Sequence, residues 1–314
     1  MKKYEIIKFF EKEKSTPDSI EKVERIINLG RTAWNIADYS DTKKILEYTL
    51  DLANQLNYKS GIVIAYNALG SLIKDQRKSL DYFFKALEIA ESEKNHQGTL
   101  FCLNNIGIVF KQNLLFDKAI EFYQKVIDYE PIPESEKNNL MPIKLMTLMN
   151  LGVVYIQINE YDKALNCLLK SLENDKDFSL DKKNLNYCNK LLNIAMAYLK
   201  KNDAEKALQY IEEAEIINKE FKNADVETYI YFLKGYNMNM FGYYDSAELY
   251  LLNALKIFNE SFRLVSKDSI IQELINIYKA TKSYEKAIKW QDELILYLRN
   301  EINQIFFNAS ETFL

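Results

Sequence analysis

The chain has 314 residues, 27% of them charged and 48% hydrophobic, with a net charge of −4 and a pI near 5.4. That length and apolar content can bury a large core, and the acidic balance argues against a non-specific nucleic-acid binder, which needs a basic field. Four Pro and eight Gly are few for such a length and suit long helices joined by short turns, while 22 Tyr and 17 Phe can serve as knobs between helices.

Residues 1–16 read as a leading helix with Ile6, Ile7, Phe9 and Phe10 on its apolar side. Glu11 and Lys12 cut its apolar run too short for a signal peptide. Thr16-Pro17 then reads as an N-cap followed by proline in the first turn. From there to residue 131 the chain falls into three helix-pair units. The clearest is Thr99–Pro131, with amphipathic helices from Thr99 to about Gln112 and from Phe116 to about Tyr129. The first unit carries Leu29-Gly30, Tyr39, Thr42 and Leu46, and the second Leu69-Gly70, Ser79, Phe83 and Ala86. The second is three residues shorter between Gly70 and Ser79, so either its turn is tighter or its first helix ends early.

Residues 132–141 read as an irregular linker, and Pro142 as the start of the next helix. Residues 142–283 hold units four to six and the start of unit seven, marked by Leu151-Gly152, Ile194-Ala195, Gly235 and Ile275. These marker positions fall at 30, 70, 107, 152, 195, 235 and 275, a period near 40. Five of the eight glycines occupy this single position. A glycine inside a helix costs roughly 1 kcal/mol relative to alanine, which is tolerable where a second helix crosses so closely that a Cβ would clash. The last helix, in residues 284–314, repeats Leu294, Leu298, Ile302 and Ile305 at helical spacing. It is either a cap over the final interface or a dimer contact or connector.

Little in the chain suggests catalysis. The single histidine, His96, lies in a polar stretch and reads as a solvated loop residue. No serine or cysteine has a histidine nearby to activate it, and no phosphate-binding loop, metal-ligand motif or cofactor motif is present. Cys102, Cys167 and Cys188 lack paired spacing and read as reduced core thiols of a cytoplasmic protein. No uninterrupted apolar run approaches the roughly 18 residues of a membrane-spanning helix. The expectation is therefore a non-enzyme with no cofactor or metal and no nucleic-acid or membrane partner.

Ile106-Gly107, Phe110, Ala119, Tyr123 and Pro131 match the spacing of a helix-turn-helix repeat, and at these residues the chain resembles the tetratricopeptide repeat (TPR) family. Its long period is similar to that of Rap-type peptide receptors, kinesin light chains and LGN-like adaptors. The resemblance implies an all-α fold, a right-handed superhelical solenoid of about seven helix pairs. It also implies that the first helix of each pair lines a concave groove.

On that reading the position two residues before each marker faces the groove. It holds Asn28, Ala68, Asn105, Asn150, Asn193, Leu233 and Glu273, with Asn67 and Asn104 one residue earlier at the groove edge. Asparagine both donates and accepts, so such a column can pair with the backbone of an extended peptide. Phe101, Met146 and Tyr229 are expected to line the same groove, and Arg31, Lys74, Lys111 and Lys200, near it on the same helices, to offer cations to a carboxylate or acidic side chain. The resemblance implies binding of a peptide or protein segment. An alternative is a sensory or scaffolding component of a signalling system, acting through its last helix or a separate effector. A homodimer through the C-terminal helix is compatible with either.

Overall fold

The computed structural model describes residues 3–36, 39–130, 137–177, 185–259 and 264–311. They form fifteen α-helices: α1 (Lys3–Lys14), α2 (Ile20–Ile36), α3 (Tyr39–Gln55), α4 (Lys59–Leu72), α5 (Gln76–Ser92), α6 (His96–Gln112), α7 (Phe116–Ile127), α8 (Lys137–Gln157), α9 (Tyr161–Asp177), α10 (Leu185–Lys200), α11 (Ala204–Phe221), α12 (Ala224–Met240), α13 (Tyr244–Ile257), α14 (Lys267–Ala280) and α15 (Tyr284–Glu311). After α1 the helices pack in successive pairs, α2 with α3, α4 with α5 and α6 with α7 before α8, and α10 with α11, α12 with α13 and α14 with α15 after α9. The contacts divide the chain into two units, Met1–Val154 and Tyr155–Leu314, with the division inside α8.

In each unit the helices pack on their neighbours in sequence, and the first helices also pack on one another: α2, α4 and α6 in one unit, α10, α12 and α14 in the other. The second helices make no comparable contact among the described residues. The first helices therefore form the closer-packed inner layer of each unit, and their free faces are where a groove can lie.

The glycines make this layering possible. A Cβ on Gly107 would lie 2.5 Å from Cε1 of Tyr123, one on Gly70 2.8 Å from Cε1 of Phe83, and one on Gly235 2.7 Å from Cγ of Leu251. Each glycine seats a bulky side chain from the second helix of its own pair, as the crossing argument predicts. Phe83, Tyr123 and Leu251 are fully buried or nearly so.

The turn inside the pair also recurs. Leu114, Asn159, Asn202, Gly242 and Lys282 all adopt a left-handed backbone (φ between 58° and 76°), two residues before the second helix starts. One residue on, the N–H of Leu115, Glu160, Asp203, Tyr243 or Ser283 donates to the carbonyl five residues back, at 2.8–2.9 Å. This closes the first helix with the bond pattern of a Schellman cap. The pair α4 with α5 lacks this turn. α4 ends at Leu72, Ile73 is extended, and the Asp75 carboxylate caps α5 by accepting from the N–H groups of Arg77 and Lys78. Its three missing residues are thus removed from the end of the first helix.

Three boundaries differ from expectation. Thr16 does not cap α2, because its hydroxyl donates to the carbonyl of Glu13 at the end of α1; Ser19 is the cap, accepting from the N–H of Lys22 at 3.2 Å. α8 starts at Lys137, so residues 137–141 of the expected linker are helical and Pro142 lies inside the helix; residues 131–136 lie outside the described residues. His96 is the first residue of α6 rather than a loop residue. It is half-buried, and its Nδ1 is hydrogen-bonded to the Tyr129 hydroxyl.

One stretch, Asn138–Gln157 in α8, is long and apolar enough by composition to cross a membrane, with a mean hydropathy of 1.3. It is a repeat helix here, with Leu140, Ile143, Leu145, Leu148 and Leu151 buried.

α1 is held against the first pair by Ile6 and Phe10, which join a core cluster with Val23, Ile26, Ile45 and Leu52. The fully buried Lys22 adds a polar clasp: its ammonium donates to the carbonyls of Lys14 (3.1 Å) and Thr16 (2.9 Å) and to the Asp18 carboxylate (2.9 Å).

Candidate functional site

In the first unit the asparagines of α4, α6 and α8 form one connected hydrogen-bond network. Asn105 Nδ2 donates to Asn67 Oδ1 at 3.3 Å, and Asn104 Nδ2 to Asn105 Oδ1 at 3.4 Å. Asn104 Oδ1 then accepts from Asn150 Nδ2 at 3.0 Å and from the Thr147 hydroxyl at 3.1 Å. Asn67 Nδ2 is spent on the Val63 carbonyl and the Cys102 sulfur, both at 3.1 Å. The chain Asn67–Asn105–Asn104–Asn150 thus crosses three first helices in order.

Adjacent asparagines in this network have different roles. Successive residues on a helix point about 100° apart, so Asn104 and Asn105 cannot share a direction. Asn104 is 1% exposed and wedged toward α8, with its oxygen fully used. It is a structural hub and not the groove-edge contact expected from sequence. Asn105 and Asn150 are half-buried. Each amide can make about four hydrogen bonds. Asn105 uses one donor and one acceptor position and Asn150 one donor, so both keep donor and acceptor capacity for a ligand while their rotamers are fixed by their neighbours.

Beside the network, a cavity of about 670 Å³ opens among α2, α4 and α6. Ile27, Ile64, Ala68 and Phe101 contribute apolar wall, Asn67 and Asn105 an amide edge, and Arg31 the only charge among the described residues. Phe101 is 38% exposed, unusually open for a phenylalanine flanked by core residues Leu100 and Cys102. Arg31 is exposed, and among the described residues its only hydrogen-bond partner is the exposed Asn28, whose Oδ1 accepts from it at 3.5 Å.

Lys111, in the last turn of α6, is half-buried with no ion pair among the described residues, and burial pulls its ammonium below the usual lysine range. Met146 is half-buried and packs on the cluster of Leu100, Leu103, Val126, Leu140 and Ile143, so it belongs to the wall between helices.

The inner layer of the second unit differs. Asn193 on α10 is half-buried and has no hydrogen-bond partner among the described residues. One turn earlier, Asn189 has its carbonyl oxygen buried and unpaired among them. Asn189 is not at the marked column position, but its i, i+4 relation to Asn193 was available in the sequence. Tyr229 is 6% exposed, stacked on Phe232 with centroids 6.2 Å apart, and burial pushes its hydroxyl up. It is interhelix core rather than groove wall. Lys200 sits 4.8 Å over the Tyr236 ring.

Glu273, which looked like a break in the column, is 7% exposed. Its carboxylate accepts from Asn239 at 2.6 Å and Asn276 at 3.0 Å. The column position therefore still takes part in an amide-bonded bridge between first helices. Among the described residues no cluster of His, Cys, Asp and Glu is placed to hold a metal ion.

Paired helices, an inner layer of first helices and glycine-seated crossings define a helical-repeat protein. A family model, that of the tetratricopeptide repeat, matches residues 147–178 and 191–220, and the chain carries tetratricopeptide repeats. A TPR repeat-containing protein of Methanocaldococcus jannaschii is 22% identical over 302 residues, 91% of this chain. The chain spans about half the length of that curated relative.

Among solved structures, the apo form of the quorum sensor NprR from B. thuringiensis matches with a TM-score of 0.70 at 18% identity, over 93% of this chain and 80% of that one. A Rap protein complexed with competence and sporulation factor matches with a TM-score of 0.61 at 19% identity, over 88% and 76%. At these identities the likeness is one of fold.

Proposed function

We propose that this chain is a binding module that takes an extended peptide, or an extended segment of a partner protein, along the inner face of its first helices. The TPR fold supports protein or peptide binding in general, and the likeness to a quorum sensor and to a Rap protein solved with a bound factor points the same way.

The observation that carries the reading is the asparagine network. An extended peptide offers one N–H and one C=O per residue, and side chains that both donate and accept satisfy either. Asn105 and Asn150 keep that dual capacity and are oriented through Asn104, so little side-chain entropy is lost on binding. The adjacent cavity accepts an apolar side chain against Phe101, Ile64 and Ala68. Arg31, with no carboxylate partner among the described residues, favours an acidic group on the ligand, whether a side chain or the terminal carboxylate.

Selection of random linear peptides against the purified chain tests this. The expected peptides pair an apolar residue with an acidic one. They bind about 10- to 100-fold more weakly to an Asn105→Ala, Asn150→Ala variant, the loss of two or so ligand hydrogen bonds. An Arg31→Gln variant loses the acidic preference while keeping the apolar one. Selection that returns no peptide, or peptides indifferent to the double asparagine variant, refutes the proposal.

A further inference from the structure

α15 buries one stripe and leaves another bare. Ala287 is buried, and Trp290, Leu294, Tyr297 and Glu301 are half-buried, recurring every three or four residues. Tyr297 lies 5.0 Å under the ammonium of Lys267 on α14, which places this stripe on the fold side. The neighbouring stripe is apolar and open: Tyr284 is 60% exposed, Ile288 59%, Ile295 43%, Leu298 43% and Ile302 51%.

The spacing of the open residues is not that of scattered surface positions. Ile288, Ile295 and Ile302 are seven apart, Leu298 falls three after Ile295, and Tyr284 four before Ile288. These are the a and d positions of a heptad, with Gln291 as a polar d. A 3.5-residue apolar repeat is the signature of a seam between two helices, in which each knob enters a hole on the partner. A helix face that stays in water has no reason to carry it.

The charges beside the seam indicate what covers it. Asp292 and Arg299 flank it on its outer side, also seven apart, and both are exposed and without an ion pair among the described residues. Two copies of α15 laid antiparallel, with a two-fold axis close to Ile295, bring Asp292 of each level with Arg299 of the other. A parallel, in-register pair sets like charge level with like. The stretch is thus complementary to itself in one orientation, the condition for an isologous dimer.

We propose that α15 is a self-association surface, through which two copies of this chain pair antiparallel along Ile288, Ile295, Leu298 and Ile302. The inference does not depend on the groove, because it uses none of the groove residues.

Sedimentation of the full chain over a dilution series tests it. Wild type is expected to show a reversible monomer–dimer equilibrium. Ile295→Glu, which sets two carboxylates against each other at the axis, should be monomeric throughout, with unchanged helicity and, at dilutions where wild type is also monomeric, the same melting temperature. Asp292→Arg should weaken the dimer about tenfold or more, and Asp292→Arg combined with Arg299→Asp should restore wild-type affinity to within a few-fold. A wild-type chain that stays monomeric overturns the proposal and leaves the seam to a different protein. A dimer unmoved by Ile295→Glu overturns the surface, and a double variant no better than the single one overturns the antiparallel arrangement.

Discussion

Replacing Asn104 by alanine tests whether the asparagine network is built around its buried member. The side chain is 1% exposed and makes three contacts of unequal value. Its oxygen accepts from Asn150 at 3.0 Å and Thr147 at 3.1 Å, good geometry for neutral pairs, whereas its amide reaches Asn105 at only 3.4 Å. A neutral hydrogen bond contributes about 0.5–1.5 kcal/mol net, so the two short bonds amount to about 2 kcal/mol. The void left by the amide adds up to about 1 kcal/mol.

Two features reduce the loss. Thr147 retains its second acceptor, the Ile143 carbonyl at 2.9 Å, and half-buried Asn150 can turn to water. The expected cost is therefore about 2 kcal/mol for Asn104→Ala. Asn150→Ala should cost about 1 kcal/mol or less, and Asn105→Ala the least, because its bonds are long and its surroundings wetter. Urea unfolding followed by far-UV circular dichroism, with the slope unchanged, reads all three. An Asn104→Ala variant within about 0.5 kcal/mol of wild type, a typical surface-substitution effect, refutes the hub role. So does a larger loss from Asn105→Ala.

Gly107→Ala sets two local terms against each other: a helix-propensity gain of about 1 kcal/mol and a 2.5 Å clash with the buried Tyr123 ring. Overpacking of about 1–3 kcal/mol should win, so the midpoint falls, and a Tyr123→Leu background should abolish the loss; a stabilised Gly107→Ala contradicts the close crossing. Leu114 holds a left-handed backbone (φ 58°) with 70% of its side chain exposed. Leu114→Asn, the residue found at the same turn position in Asn159 and Asn202, should raise stability by about 0.5–1 kcal/mol, and a lower melting temperature would contradict the turn assignment.

Burial pushes the Cys102 thiol up to about 11, against the opposing hydrogen bond from Asn67. The folded chain therefore holds this proton where the unfolded chain has lost it. That contribution is complete below about pH 8.5–9 and disappears as pH rises through 11, at up to 1.36 kcal/mol per pH unit. Between pH 8 and about 10.5, wild type should lose about 2 kcal/mol more than Cys102→Ala, and equal losses would show that the thiol does not titrate this way.

The helix pairs were legible because their periodicity, their glycines and their second-helix aromatics each repeat, so independent signals agreed on each boundary. The ends were less so: Thr16 and Ser19 can both cap, and Pro142, whose missing N–H favours the first turn of a helix, stands one turn further in, where it gives up a helical hydrogen bond. The asparagine column was visible as composition at a fixed register. Its bonding was not, because which of Asn104 and Asn105 turns inward depends on where α8 lies, and no single helix encodes that. Tyr229 was placed in the groove by type and register, yet it stacks on Phe232 in the core. Glu273 looked like an interruption since its partners, Asn239 and Asn276, sit away from the column in sequence.

The glycine crossings carry a consequence for how such a chain varies. Gly30 meets Leu46, Gly107 meets Tyr123 and Gly235 meets Leu251, each pair sixteen positions apart, whereas Gly70 meets Phe83 at thirteen. The deletion between Gly70 and Phe83, in the pair α4 with α5, shortened the spacing but preserved the partnership. Each crossing is thus a lock shared by two positions, and a larger residue at one requires a smaller residue at the other. In any set of related chains, these position pairs should change together, and the second pair should do so across a three-residue gap that a fixed-period alignment would hide.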